Sequence, residues 1–88
     1  MKPYEVRIAR RAAKAIARLE GKDQQRIRAA IDLLAGEPRP PGCVALAGEE
    51  STYRVRVGDY RIMYEVPDGQ LVIRVVRVGH RRDVYRAR

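Results

Sequence analysis

Between Tyr53 and Val66 the chain alternates its side chains across a two-residue break. Tyr53-Arg54-Val55-Arg56-Val57 is followed by Gly58-Asp59 and then by Tyr60-Arg61-Ile62-Met63-Tyr64-Glu65-Val66. Period-two alternation on both sides of so short a break predicts an antiparallel hairpin. Glycine at the first central position suits a type II′ turn, and that turn sets the register. Val57 then pairs with Tyr60, Arg56 with Arg61, Val55 with Ile62, Arg54 with Met63 and Tyr53 with Tyr64. One face of the hairpin is apolar and aromatic. The other carries Arg54, Arg56 and Arg61.

A second turn, Pro67-Asp68-Gly69-Gln70, leads into Leu71-Val72-Ile73-Arg74-Val75-Val76-Arg77-Val78, which reads as a third antiparallel strand. Bringing Val66 opposite Leu71 predicts Tyr64 facing Ile73, Met63 facing Arg74, Ile62 facing Val75 and Arg61 facing Val76. That register adds Arg74 to the basic face. It leaves Arg77 at the end of the other face, its head group turned to water. Like charges directly opposed on a ladder destabilise it by tenths of a kcal/mol up to about 1 kcal/mol. The Arg56–Arg61 pair therefore needs a reason other than stability. Glu65 is the only acid of these strands on that face, so the cluster reads as a surface for phosphate. The plainer alternative is a set of arginines fanned into water.

The first half reads as support for these strands. Tyr4-Glu5-Val6-Arg7-Ile8 alternates as a short strand. Ala12, Ile16 and Leu19 recur at helical spacing over residues 10–19, and Gly21 is expected to end that helix. Asp23 is the expected N-cap of a second helix, with Ile27, Ala30, Ile31, Leu34 and Ala35 on one stripe and Gly36 and Pro38 as its stop. So short a connection predicts an antiparallel helix pair. Residues 37–50, which hold Pro38, Pro40, Pro41, Gly42 and Gly48, read as a loop crossing to the sheet. The expected fold is α+β: an N-terminal strand, an antiparallel helix hairpin and a three-stranded antiparallel meander, in one sheet and one domain spanning residues 1–88.

Composition narrows the function. The net charge is +8 in 88 residues, and arginine supplies most of the positive charge. Its planar fork matches phosphate and carboxylate, so a polyanionic partner is expected. A single cysteine, Cys43, and a single histidine, His80, leave no internal disulfide and no metal-ligand cluster. Cys43 reads as an inert loop thiol, and no cofactor is expected. No apolar run is long enough to span a bilayer, and Lys2, Glu5 and Arg7 stand where a signal peptide would be apolar. A cytoplasmic protein with no membrane partner is expected.

Three stretches carry a resemblance to a known family. Leu46-Ala47-Gly48, the run from Tyr53 to Tyr64, and Val78-Gly79-His80-Arg81-Arg82-Asp83-Val84-Tyr85 resemble the RelE/ParE superfamily of toxins from type II toxin–antitoxin modules, on its RelE branch. The resemblance implies the RelE-like microbial RNase fold and a ribosome-dependent, metal-free endoribonuclease that cuts messenger RNA and so inhibits translation. It implies a cognate antitoxin carrying an acidic, amphipathic segment, in a toxin–antitoxin hetero-oligomer. By position, Arg61 matches the strand arginine at the scissile phosphate, Arg81 the second catalytic arginine and Tyr85 the C-terminal tyrosine.

Two lysines of the best-known RelE pattern are here Arg54 and Arg56, and the glycine-to-tyrosine spacing is two residues shorter. Arginine stays protonated and is a poor proton-transfer group. His80, the one side chain whose ordinary pKa lies near neutrality, is the expected substitute as general acid or base. Arg54, Arg56 and Arg74 are then expected to bind RNA phosphates. The alternative implied by the same resemblance is a ParE-like inhibitor of DNA gyrase that catalyses nothing.

Overall fold

The computed structural model describes residues 4–80. Its elements are β1 (Glu5–Ile8), α1 (Arg10–Ala17), α2 (Gly21–Gly36), β2 (Val44–Ala45), β3 (Thr52–Val57), β4 (Tyr60–Glu65) and β5 (Val72–His80). One sheet runs in the order β1-β5-β4-β3-β2. β1 lies parallel to β5, and every other neighbour is antiparallel. The α+β architecture is as expected. β2 is an addition within the segment read as loop, because two residues are too few to show a period.

The helices meet differently from the expectation at their junction. Gly21 does not end α1; it opens α2, with Glu20 in extended conformation at the N-cap position. Asp23 lies in the first turn, where a carboxylate is favoured by the helix dipole. Gln24 closes the junction. Its Nε2 donates to the carbonyls of Leu19 at 3.1 Å and Ala17 at 3.3 Å, satisfying groups that the end of α1 leaves open.

Ala12 and Ile16 of α1 and Ile27, Ile31 and Leu34 of α2 are buried against one face of the sheet. Ile62, Tyr64, Val66, Ile73, Val75 and Val78 meet them there, with Tyr53, Val55, Val57 and Tyr60 packed at the margin. Fully burying one such side chain is worth about 1.5–3 kcal/mol, more than any exposed charge pair contributes. The helix-facing layer therefore carries the stability. Among the described residues, no helix is laid over the opposite face.

The β3–β4 ladder has the register expected from the turn, from Val57↔Tyr60 through Arg56↔Arg61 to Tyr53↔Tyr64. Gly58 takes φ +61, as the first central residue of a type II′ turn requires. The β4–β5 ladder departs from expectation. Arg61 pairs with Gly79, Ile62 with Val78 and Met63 with Arg77; after a bulge, Tyr64 pairs with Val75 and Glu65 with Arg74. The expected contact of Val66 with Leu71 is not made. Val66 N–H donates to the Ser51 carbonyl, and the Leu71 carbonyl accepts from Glu5 N–H of β1, so each flank of the turn bonds elsewhere. The bulge skips Val76, which keeps both Val75 and Val78 on the core side.

A candidate nucleic-acid interface on the open sheet face

The open face is set by the alternation of β3 and β4. With Val55 and Ile62 packed inward, Arg54, Arg56, Arg61 and Met63 must lie on the other side. β2 extends this face by one strand, pairing Val44 with Arg54. A cleft of about 200 Å³ opens there, lined by Gly42, Val44, Arg54, Arg56 and Arg61. Three of the expected phosphate-binding residues are thus brought together. The turn makes Arg56–Arg61 a pair without ladder hydrogen bonds, whose Cα atoms approach to about 4.5 Å. Arg56 relieves the crowding by turning along the strand, where its Nε donates to the Gly58 carbonyl at 3.0 Å. In Arg61 the Nε atom is buried and meets no acceptor, although the side chain does interact through other atoms.

The wall formed by Gly42 and Val44 is anchored by two tyrosines from the core side. Tyr64 Oη donates to the Pro38 carbonyl at 2.9 Å. Burial pushes its phenol well above the usual tyrosine range, with the Cys43 thiol adding to the effect. Tyr53 stacks on Tyr64 with ring centroids 5.8 Å apart, and its hydroxyl accepts from Arg39 Nε at 2.9 Å. That bond raises the Arg39 pKa, and the guanidinium carbon lies 5.3 Å from the Tyr53 ring centre. Arg39, Gly42 and Val44 escaped the sequence reading. The one available signal was Gly42 among the prolines; it takes φ +92, which glycine adopts without strain.

The other expected site residues fall elsewhere. Arg74 stays on the open face but stands opposite Glu65, not Met63, and its Nη1 meets Glu65 Oε1 at 2.9 Å. Its charge is compensated locally, and it does not line the cleft. Arg77 stands in the rung of Met63 and lines a separate cleft against α1. His80 does not follow the last strand; it is the final residue of β5, opposite Tyr60. Their rings meet edge to face at 6.0 Å. Tyr60 itself points to α2, where its hydroxyl donates to Asp23 Oδ2 at 3.3 Å, and burial and that carboxylate raise its pKa. The expected general acid or base, His80, thus stands one rung past Gly79 and on the helix side, apart from the Arg54–Arg56–Arg61 cleft. Arg81 and Tyr85 lie outside the described residues.

A five-stranded sheet backed by two helices in this order has known counterparts. Residues 6–85 match the family described as ParE toxin of type II toxin–antitoxin system, parDE. The chain is 32% identical to toxin RelG of Mycobacterium tuberculosis, over 96% of this chain and 98% of that protein. It is 33% identical to a RelE-like toxin protein of Escherichia coli, over 93% of this chain and 90% of that protein. The archaeal RelE–RelB complex of Pyrococcus horikoshii holds a chain of the same fold, with a TM-score of 0.80 and 31% identity over 90% of this chain and 96% of that one. Sequence and fold agree: the chain belongs to the RelE/ParE superfamily of toxins from type II toxin–antitoxin modules, on its RelE branch.

Proposed function

We propose that this toxin is a ribosome-dependent endoribonuclease that cuts messenger RNA without a metal ion. The observation that carries the reading is the cleft of Arg54, Arg56 and Arg61, built around a like-charge pair that weakens its own sheet. Such a pair becomes favourable when a phosphodiester lies between its members. Cleavage of RNA needs the 2′-hydroxyl activated, the charge on phosphorus stabilised and the 5′-oxygen protonated. The arginines perform the second task. They are fixed on adjacent strands, so little reorganisation is needed as charge develops.

Proton transfer is not a task for the cleft arginines, since guanidinium does not deprotonate in this range. His80 stands on the other side of the sheet, against Tyr60. We assign completion of the site to Arg81 and Tyr85, on the family pattern, with the ribosome positioning the message. Positioning alone can lower a barrier by several kcal/mol, which suits a site with no strong base of its own. The same reading gives the toxin a cytoplasmic setting and a cognate antitoxin, whose acidic amphipathic segment would neutralise the basic surface. The RelE–RelB complex of the archaeal relative supports such a partner.

The test is a translation reaction with purified ribosomes in which the cut positions on the message are mapped. Cleavage on ribosomes and not on naked message is the expected result. The family description as a ParE toxin favours a second reading, a DNA gyrase inhibitor without catalytic activity. Intact messages together with loss of gyrase supercoiling would establish that reading instead.

A further inference from the structure

A second cationic cleft, of about 420 Å³, lies between α1 and the end of β5 that runs beyond β1. Arg11, Lys14, Arg18 and Arg77 line it, with Ala15 and Val78 also on its surface. β1 pairs with β5 only as far as Val75, so α1 takes the place of a neighbouring strand beside Arg77 and Val78. Positions 11, 14 and 18 fall on one helix face at one-turn intervals. With a rise of about 1.5 Å per residue, their stems are set about 4.5 and 6 Å apart along the axis.

Local physics opposes this arrangement. Residues 9–19 hold Arg10, Arg11, Lys14 and Arg18 and no acid at all. Arg10 and Arg11 lie in the first turn, against the helix dipole, whereas Lys14 is in the last turn, where the dipole favours it; the N-cap residue Ala9 offers no side-chain hydrogen bond. Arg10–Lys14 and Lys14–Arg18 are like-charge pairs at i,i+4. Two ion pairs of the sheet, Arg7–Glu5 and Arg74–Glu65, lie outside this cleft. A helix this unfavourably charged is explained by a polyanion that binds it.

We infer that the α1–β5 cleft is a second RNA-backbone site, gripping phosphates of a strand or loop beyond the one to be cut. The inference rests on the ribonuclease reading for the identity of the polyanion. RNA is favoured over an acidic protein segment because an amphipathic partner needs exposed apolar side chains beside the charges. The exposed large apolar residues, Ile8, Leu33, Val44 and Leu71, do not line this cleft. One rung, Val44–Arg54–Met63–Arg77, joins the two clefts across the sheet. With strands about 4.8 Å apart, Arg54 and Arg77 are separated by about 10 Å at the backbone, so one RNA could reach both.

The experiment measures binding of a short unstructured RNA oligonucleotide by purified toxin, over a series of salt concentrations, for the wild type and the variant Arg11→Ala/Lys14→Ala/Arg18→Ala. Alanine is the best helix former and the three sites are on the surface, so the variant keeps α1. Each lost phosphate contact lowers the salt slope by about 0.7 for a single strand, so a fall of up to about 2 is expected, with affinity at least tenfold weaker. An unchanged slope overturns the inference. So does intact RNA binding accompanied by weakened capture of an acidic antitoxin peptide, which would give the cleft to a protein. Because binding is read without cleavage, failure here is distinct from failure of the ribonuclease reading, which shows as uncut message with the wild type.

Discussion

The two faces of the β3–β4 hairpin are made from alternate residues of the same two strands, yet they answer to different demands. On the helix side Ile62 and Tyr64 are fully buried against α1 and α2, with Val55 packed beside them at the margin. On the open side Arg54, Arg56 and Arg61 crowd like charges around a cleft. The first face lowers the free energy of the fold; the second raises it. On the proposed function, stability and phosphate binding are separated by the pleat, one residue apart in sequence. Mutations on the two faces should fail in different ways.

Ile62→Ala should give the largest effect on the helix side. Ile62 is fully buried in the sheet's central layer, and such truncations cost about 2–5 kcal/mol by lost burial and a cavity. A domain of this size has a total stability of about 5–15 kcal/mol at best. Chemical denaturation should show the midpoint falling sharply, with toxicity lost only through unfolding. A midpoint within experimental error of wild type would mean that this face does not carry the fold.

Arg61→Ala is the matching change on the open face. Removing a charge-stabilising donor lowers turnover about 10²–10³-fold, equivalent to about 2.7–4 kcal/mol. The denaturation midpoint should stay the same or rise, because the like-charge pair with Arg56 is gone. Ribosome-dependent cleavage and the midpoint measured on one preparation decide the matter. Full activity in a folded Arg61→Ala protein would remove the cleft from the mechanism.

How far the two faces could be read in advance follows from the same separation. The β3–β4 register was legible because Gly58-Asp59 leaves one turn geometry open and a one-residue slip would turn every arginine inward. The β4–β5 register was not, because Pro67 to Gln70 closes a turn whose flanks bond to Ser51 and β1 instead of to each other. The bulge had left a trace: Ile73 and Val75 alternate, but Val78 is out of phase, and Val75-Val76 places two valines side by side. Reading that trace would have moved His80 to the helix side and Arg74 opposite Glu65. The start of α2 was missed for a different reason. Glycine is a common stop, and nothing local shows that Gln24 will close the turn from beyond it. Within the described residues the cleft itself was legible as three arginines, whereas its wall, brought in from the loop by Pro38 and Arg39, depends on tertiary contacts.

Tyr64 links the two faces, since a core-side ring holds the wall of the open-side cleft. Tyr64→Phe removes the hydrogen bond to Pro38 and should cost about 1 kcal/mol at neutral pH. Its pH dependence has a definite sign. The fold raises the phenol's pKa through burial, so the neutral form is the stabilised one. That stabilisation is complete below the ordinary value of about 10 and is lost as pH rises through the raised one. Urea denaturation of wild type should therefore weaken above about pH 10, and more steeply than that of the phenylalanine variant. Tyr60, also raised, contributes to both proteins and leaves a residual slope. Equal alkaline slopes in the two would show that Tyr64 is not held neutral by the fold.

The smallest expected change is the most discriminating, because its two consequences have opposite signs. Arg56→Thr replaces an exposed arginine with a β-branched residue that suits a strand, and removes the charge facing Arg61. The hairpin should gain tenths of a kcal/mol, up to about 1 kcal/mol, and the denaturation midpoint should rise. RNA affinity should fall, with the salt slope smaller by about 0.7 for one lost phosphate contact. The bond from Arg56 Nε to the Gly58 carbonyl is lost as well, but that carbonyl is at an exposed turn and water replaces the donor. If stability fell together with affinity, the arginine would be part of what holds the hairpin, and the open face would not be the destabilised, ligand-ready surface described above. A rise in one and a fall in the other is what a face shaped by its ligand, at some cost to its own sheet, must show.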